Sequence, residues 1–406
     1  MSKYWKSITF GVMTIIVLTL FYVNNANYSK QLPQFSIEKT DGEAETLDNI
    51  AVDAQYYYAM NGVESIRVDQ AGTNYLRDEN YFKRLEGFSQ GPEIEQWQQD
   101  FRSFMRGKNA YEGHFLETDK ELTYANVIAD SSFSWEFDTF EIHILDKTTN
   151  KDHYFTVNIP EYTKYRHQDI LYTHVNNDEF TIVTEGNYDE DKMNKVDVNR
   201  YTFNTETEVL IEEERIYETT LSQSEQIDEE IFVHTSDRDN DYFIIEKQKN
   251  VFEDIESPRG EITDVAHSLE TKALIKYNAE TKKKEEIDLP KEIEKAPFIG
   301  FDDTTYYFTD ITTSNVTIIP YVYKDDNMLE TWEVDVKQPE DASWGTYATL
   351  KDNKLYYLDH RFDEATLPDL YVIDLEKEQL TFKGEVTTKE PIKGIERYDF
   401  QEIFVY

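Results

Sequence analysis

A calcium loop needs oxygen ligands at alternating positions, and the nearest approach to one is Asp237, Asp239 and Asp241. Such a loop also wants Gly at its sixth position and Glu at its twelfth, and these hold Tyr242 and Gln248. A polar hairpin turn is therefore the simpler reading, with calcium the alternative. Glycoside hydrolysis needs two carboxylates a set distance apart. Pairs such as Asp302-Asp303 and Asp325-Asp326 qualify by type, but with 82 Asp and Glu adjacent acids arise from composition alone. The eight His are scattered over positions 114, 143, 153, 167, 174, 234, 267 and 360. His143 and His153 fall in adjoining strand-like runs and can face one another, yet two ligands without a third make no zinc site. Nucleophile elbows, phosphate loops, dinucleotide fingerprints and H-E-x-x-H are all missing. No catalytic, cofactor-binding or metal-binding residue is assigned on this basis, and no cofactor is implied.

These residues sit in an acidic, aromatic-rich chain. Its 406 residues carry 41 Lys and Arg against 82 Asp and Glu, a net charge of −41, with no Cys. Disulfides and thiolate chemistry are thereby excluded. A nucleic-acid partner is disfavoured, because phosphate binding requires clustered cations. Simple disorder is excluded as well, since 29 Tyr, 24 Phe and 5 Trp supply ample core-forming surface. Tyr56, Tyr57 and Tyr58, like Tyr306 and Tyr307, alternate between faces as strand residues do and are expected to fill spaces between sheets.

The N-terminus carries the clearest local signal. Residues 8–23, ITFGVMTIIVLTLFYV, are apolar or Thr, enough to cross most of a bilayer core as a helix. Trp5, Phe21 and Tyr22 lie near the two ends of this run, and Lys3 and Lys6 precede it, so residues 1–7 are expected in the cytoplasm and the bulk of the chain outside it. A cleaved signal peptide is the competing reading, but a cut after Ala26 would leave Asn24 at the small-residue position. Beyond residue 30, 38 basic residues face 82 acidic ones, a net charge of −44 without a basic stripe. Residues 24–49 are polar and aperiodic, as a stalk would be.

From residue 50 to 406 the chain is expected to be all-β. Runs such as FEIHIL (140–145), ILYTHV (170–175), KLYYLDH (354–360) and DLYVIDL (369–375) combine β-prone residues with turn-forming breaks. One helix is expected at 92–106. Pro92 follows Gly91, Glu93 and Glu95 sit in the first turn, and Ile94, Trp97, Phe101, Phe104 and Met105 share a face. It is expected to cover the β domain, with partner docking the alternative. A strand, an Asp or Asn, a polar turn and a return strand recur at Asp69, Asp146, Asn204, Asn278, Asp325 and Asp374, separated by 77, 58, 74, 47 and 49 residues. The last intervals match the blade length of a propeller, and the longer ones require insertions. The final strand, residues 399–406, is placed to pair with the first blade. The alternative is two stacked β domains divided near 217–228.

The segment KLYYLDHRFDEATLPDLYVIDLEKEQLTF, residues 354–382, resembles a blade of the bacterial TolB-like β-propellers, and the likeness extends over about residues 304–390. The resemblance implies a propeller of six to eight blades and carries no active site with it. Taken together, the expectation is a membrane-anchored, single-pass bacterial cell-surface protein whose β-propeller-like domain binds, senses or scaffolds without catalysis. Its partners are then the cell membrane, through the N-terminal helix, and a membrane-protein or cell-wall component. The alternative is a surface carbohydrate-active hydrolase using carboxylates in a propeller channel.

Overall fold

The computed structural model describes residues 32–406, apart from 59–61, 80–83, 85–90, 110, 129–137, 177, 191–192, 222–226, 236–241, 257–261, 303, 312–314, 326, 336–345, 360–366, 390–396 and 406. Of the N-terminal stretch it describes 5, 9–17 and 19.

The protein is all-β with few helices, built as six open antiparallel sheets. The first strand, β1 (Phe35–Gly42), does not join the strands that follow it. β2 (Ile50–Tyr58), β3 (Gly62–Asp69) and β4 (Gly72–Tyr75) form the first sheet. The second holds β5 (Phe115–Glu117), β6 (Glu121–Ile128), β7 (Thr139–Asp146) and β8 (Lys151–Asn158). The third holds β9 (His167–Asn176), β10 (Glu179–Glu190), β11 (Met193–Asn204) and β12 (Val209–Thr220). The fourth holds β13 (Ile227–His234), β14 (Tyr242–Glu256), β15 (Ile262–Asn278) and β16 (Lys284–Ile287). The fifth is β17 (Phe298–Phe301), β18 (Thr305–Ile311), β19 (Asn315–Val322), β20 (Asn327–Met328) and β21 (Trp332–Asp335). The sixth is β22 (Thr346–Lys351), β23 (Lys354–Asp359), β24 (Asp369–Asp374) and β25 (Gln379–Thr388). The last strand, β26 (Arg397–Val405), returns to pair with β2 in the first sheet, while β1 pairs with β25 as fifth strand of the sixth. Each end of the chain is thus sewn into the sheet that the other end builds, and two edges that would otherwise be open are covered.

Local chemistry explains the hairpins. The carboxylate of Asp146 accepts from the amides of Thr148 and Thr149, and the same turn is rebuilt by Asn204 with Thr207, Asn278 with Thr281 and Asp374 with Lys377. Four residues after each stands a left-handed residue, Asn150, Glu208, Lys282 and Glu378. Asp69 does the same for Ala71 and Gly72. The expected repeat is therefore a repeated loop at the third hairpin of the sheets. Asp325 departs from it and lies in a short 3-10 turn, Tyr323–Asp325.

Successive sheets share hydrophobic seams. Phe140 and Ile142 meet Ile182 and Phe203 between the second and third sheets. Val198 and Ile216 meet Phe243 and Tyr277 between the third and fourth. Ile244 and Leu274 meet Tyr306 and Phe308 between the fourth and fifth, and Tyr307 and Ile318 meet Tyr357 and Tyr371 between the fifth and sixth. Val372 and Phe382 of the sixth sheet then meet Val52 and Ile66 of the first. Between the first and second sheets stands helical chain instead: α1 (Pro92–Asp100) and α2 (Arg102–Met105) bury Ile94, Trp97, Phe104 and Met105 against Phe115, Leu122, Tyr124 and Leu145. On its other side Arg67 of β3 reaches Glu95 of α1 at 3.0 Å and Asp53 of β2 at 2.6 Å.

Several expectations need correction. The helix at 92–106 is two segments, because Phe101 leaves helical geometry (φ −124°, ψ 45°). The stretch 24–49 is not all stalk: β1 and the 3-10 turn Ala44–Asn49 belong to the β fold, with Leu32, Phe35, Ile37 and Leu47 buried in the seam of the first and sixth sheets. A division near 217–228 is ruled out by the seam that β11 and β12 share with β13, β14 and β15. As for the anchor at 8–23, residues 9–17 and 19 are helical and Phe10, Met13 and Ile15 are exposed. No helix among the described residues is long and apolar enough to cross a membrane, and the rest of that stretch lies outside them.

Candidate functional site

Register gathers acids that the linear sequence keeps apart. In the sixth sheet Glu38 of β1 lies directly opposite Glu385 of β25, Glu385 opposite Asp369 of β24, and Asp369 opposite Asp359 of β23. Directly opposed residues share a face, so four carboxylates form one row across the sheet. Their neighbours Ile37 and Val386 point into the seam with the first sheet, which turns the row toward the fifth sheet. Glu38 and Glu385 are exposed, whereas Asp369 is 7% and Asp359 0% exposed. The row thus runs from solvent into the interior. Asp369 accepts a hydrogen bond from the Tyr371 hydroxyl at 3.0 Å, and Lys383 Nζ stands 3.6 Å away.

Another buried aspartate has different company. Asp197 on β11 is fully buried and accepts from Lys164 Nζ at 2.6 Å, Tyr165 Oη at 3.2 Å and Asn199 Nδ2 at 2.7 Å, with Arg215 Nε at 3.7 Å. Lys164 and Tyr165 come from the link between the second and third sheets, which reaches Asp197 within β11. Gly186 lies opposite Asp197, and a Cβ there would come within 2.4 Å of the Tyr165 ring and 2.9 Å of Asp197 Oδ1. Burial, then the neighbouring Tyr201 and Asp197, push the Tyr165 hydroxyl well above its ordinary range, so it stays a donor. Asp197 is chemically complete, and its cluster ties one sheet to the next.

The residues singled out from sequence are dispersed. His143 pairs with Tyr154 and His153 with Ile144, so the two His point to opposite faces. His143 sits 3.4 Å from both Glu141 and Asp152, and His153 lies 3.5 Å from Glu208. Asp302 is a turn former: Oδ1 accepts the amides of Thr304 and Thr305, and Oδ2 accepts the Tyr307 hydroxyl at 2.7 Å. Asp237, Asp239, Asp241, Asp303, Asp326 and His360 lie outside the described residues. Tyr56 fills the seam of the first and sixth sheets, Tyr306 that of the fourth and fifth, and Tyr307 that of the fifth and sixth, each between sheets as expected. Among the described residues no three His, Asp or Glu side chains are grouped to hold a metal ion. The acid row was missed because its signal is cross-strand register. Only Asp359 and Asp369, each at the end of a strongly apolar run, hinted at buried acids.

No family model and no curated protein matches the chain. Solved structures match at low similarity. A point mutant of Synechocystis apocarotenoid oxygenase gives a TM-score of 0.40 at 9% identity, covering 92% of this chain and 96% of that one. Pyrococcus horikoshii acylaminoacyl peptidase gives 0.31 at 12%, covering 90% of this chain and 46% of that one, so the chain spans under half of the peptidase. The β-propeller domain of the Trilobed protease from Pyrococcus furiosus gives 0.24 at 13%, covering 64% and 81%. TM-scores of 0.40 and below decide neither activity nor the TolB-like type.

Proposed function

We propose that the protein is a membrane-tethered β-propeller of six blades, working outside the cytoplasm as a non-catalytic binding, sensing or scaffold protein of the cell surface. The six sheets serve as the blades. Five consecutive seams and the α1–α2 filler in the sixth position are what a ring of sheets would require, and the exchange of β1 and β26 resembles the clasp by which rings are shut.

The observation that carries the tether is at the N-terminus. Thr9, Thr14 and Thr19 each donate a hydroxyl hydrogen bond to the carbonyl four residues back, on Trp5, Phe10 and Ile15, at 2.8–2.9 Å. Every Thr hydroxyl of the apolar run is thus satisfied within its own helix, the condition that lipid imposes and water does not. The exposed Phe10, Met13, Ile15 and Val17 then have a solvent suited to them. Adding protease to intact cells tests the reading: the tethered form predicts loss of the β domain with the chain retained in the membrane fraction. A protected β domain, or a mature N-terminus near Asn27, overturns it.

A further inference from the structure

The fourth sheet sets a physical problem. β14 and β15 run from Tyr242 to Glu256 and from Ile262 to Asn278, but their neighbours stop short. β13 covers β14 from Ile244 to Val251, and β16 covers β15 from Leu274 to Tyr277. Among the described residues, Phe252–Glu256 and Ile262–His267 therefore pair with each other alone. A two-stranded ribbon is marginal in water, and a third strand is what gives it independent stability.

The other sheets supply the comparison. In the second, β8 pairs with β7 along all of Thr139–Asp146, and in the third β12 pairs with β11 from Lys195 to Asn204. The outer side of β15 is bare by contrast: among the described residues no strand lies against Ile262–Leu269. An edge of this kind is a template for pairing with another chain. The sixth sheet shows that an outer edge of this fold accepts a strand from far away in sequence, because β1 lies against β25.

Charge selects the occupant. The ribbon segments, residues 251–256 and 262–269, hold Glu253, Asp254, Glu256 and Asp264 and no Lys or Arg. They belong to the part of the chain, beyond residue 30, whose net charge is −44. A second copy brings the same sign and is repelled, whereas a basic segment is drawn in. The geometry points to the outer edge of β15, at Ile262–Leu269, as a strand-addition site for an extended Lys- or Arg-rich segment of a partner protein. This rests on the binding role proposed above, and gives that role a surface and a partner class. Main-chain hydrogen bonds along the edge supply the affinity, and the acids set the sign of the partner. Eight extended residues span about 27 Å, room for one short segment.

Fluorescence anisotropy of a labelled peptide of alternating Lys and Val, about eight residues long to match the edge, is expected to show saturable binding to the full-length chain in detergent. The binding should weaken as NaCl rises from about 0.05 to about 0.5 M. The same peptide with every backbone amide N-methylated keeps its charge but loses its donors, and should bind about tenfold more weakly. Asp264→Lys should weaken the unmodified peptide about threefold, as reversing one cross-strand charge does. Amide exchange in the complex should slow across Ile262–Leu269 and stay unchanged in β8 and β12, which locates the site without any variant. The tether takes no part, so failure here leaves the protease experiment to be decided separately. The proposal is overturned by an absence of saturable binding, by equal binding of the N-methylated peptide, by binding indifferent to Asp264→Lys in a folded chain, or by protection that appears on β8 or β12 and not on β15.

Discussion

Asp197 of the third sheet and Asp359 of the sixth are both fully enclosed, and both lie on strands with neighbours on either side. Around Asp197 the chain has placed a lysine, an arginine, a tyrosine and an amide. Across from Asp359 it has placed another acid. In a chain with twice as many acids as bases, cations are scarce, and where they are set shows which acids serve structure. Lys164 closes a seam, and it also lies 3.8 Å from the Tyr188 ring centroid. Lys276 does similar work over Tyr242 at 3.7 Å, and Lys108 over Phe104 at 4.0 Å. In the sixth sheet Lys383 is set in the same way, 3.6 Å from Asp369 and 4.8 Å from the Tyr371 ring centroid.

The contrast is broken most sharply by removing the cation from the complete cluster. Lys164→Met leaves Asp197 buried beside Tyr165 and Asn199 without its nearest charge, and loss of one partner from a buried pair costs about 3–5 kcal/mol. Urea unfolding should show a lower midpoint at unchanged slope. An unchanged midpoint would mean that Asp197 needs no counter-charge, and the distinction between the two sheets would fall.

A second buried group near this seam is kept uncharged instead. His114 packs against Tyr111 and Tyr124, and burial pulls its pKa from 6.5 down to about 4. Because the folded value is depressed, the unfolded chain takes up a proton between those pH values and the folded chain does not. The associated stability is present above pH 6.5 and is lost as the pH falls toward 4, an amount on the order of 3 kcal/mol. Unfolding free energies of the unsubstituted chain and His114→Gln, compared at pH 7 and pH 4.5, should converge at the lower pH. A gap independent of pH would show that His114 is protonated in the fold.

Smaller effects belong to the turns, and they show what was legible in the sequence. Asn204 accepts both the amide and the hydroxyl of Thr207. Asn204→Ala should therefore cost about 1 kcal/mol, read as a shift in the urea midpoint, whereas Asp325→Ala, at the member of the repeat that builds no such turn, should cost less. Turns of this kind are local, so Asp146, Asn204, Asn278 and Asp374 could be read one at a time, as could the strands flanking them. The break at Phe101 could not, because the spacing of Ile94, Trp97, Phe104 and Met105 suits one bent helix or two short ones equally. β1 was hidden by its composition: after Phe35 and Ile37 the strand is exposed and polar, as an outer edge strand can be and a linker usually is. The acid row was least legible of all, because Glu38, Glu385, Asp369 and Asp359 become neighbours only once β1 has crossed to the sixth sheet and the register of β25 has shifted opposite Val372 and Ile373 of β24.

The finest distinction comes from the same substitution made in the two sheets. Asp197→Asn removes the charge that Lys164 and Arg215 face and should destabilise the protein, as truncating one side of a buried pair does. Asp369→Asn removes a charge that faces Asp359 and Glu385. Its amide oxygen can still accept from Tyr371, so the loss of attraction to Lys383 is set against the relief of two like-charge contacts, each about 0.2–1 kcal/mol. The outcome should lie between no change and a gain of about 1 kcal/mol. If Asp369→Asn is as damaging as Asp197→Asn, the two sheets use their buried aspartates in the same way.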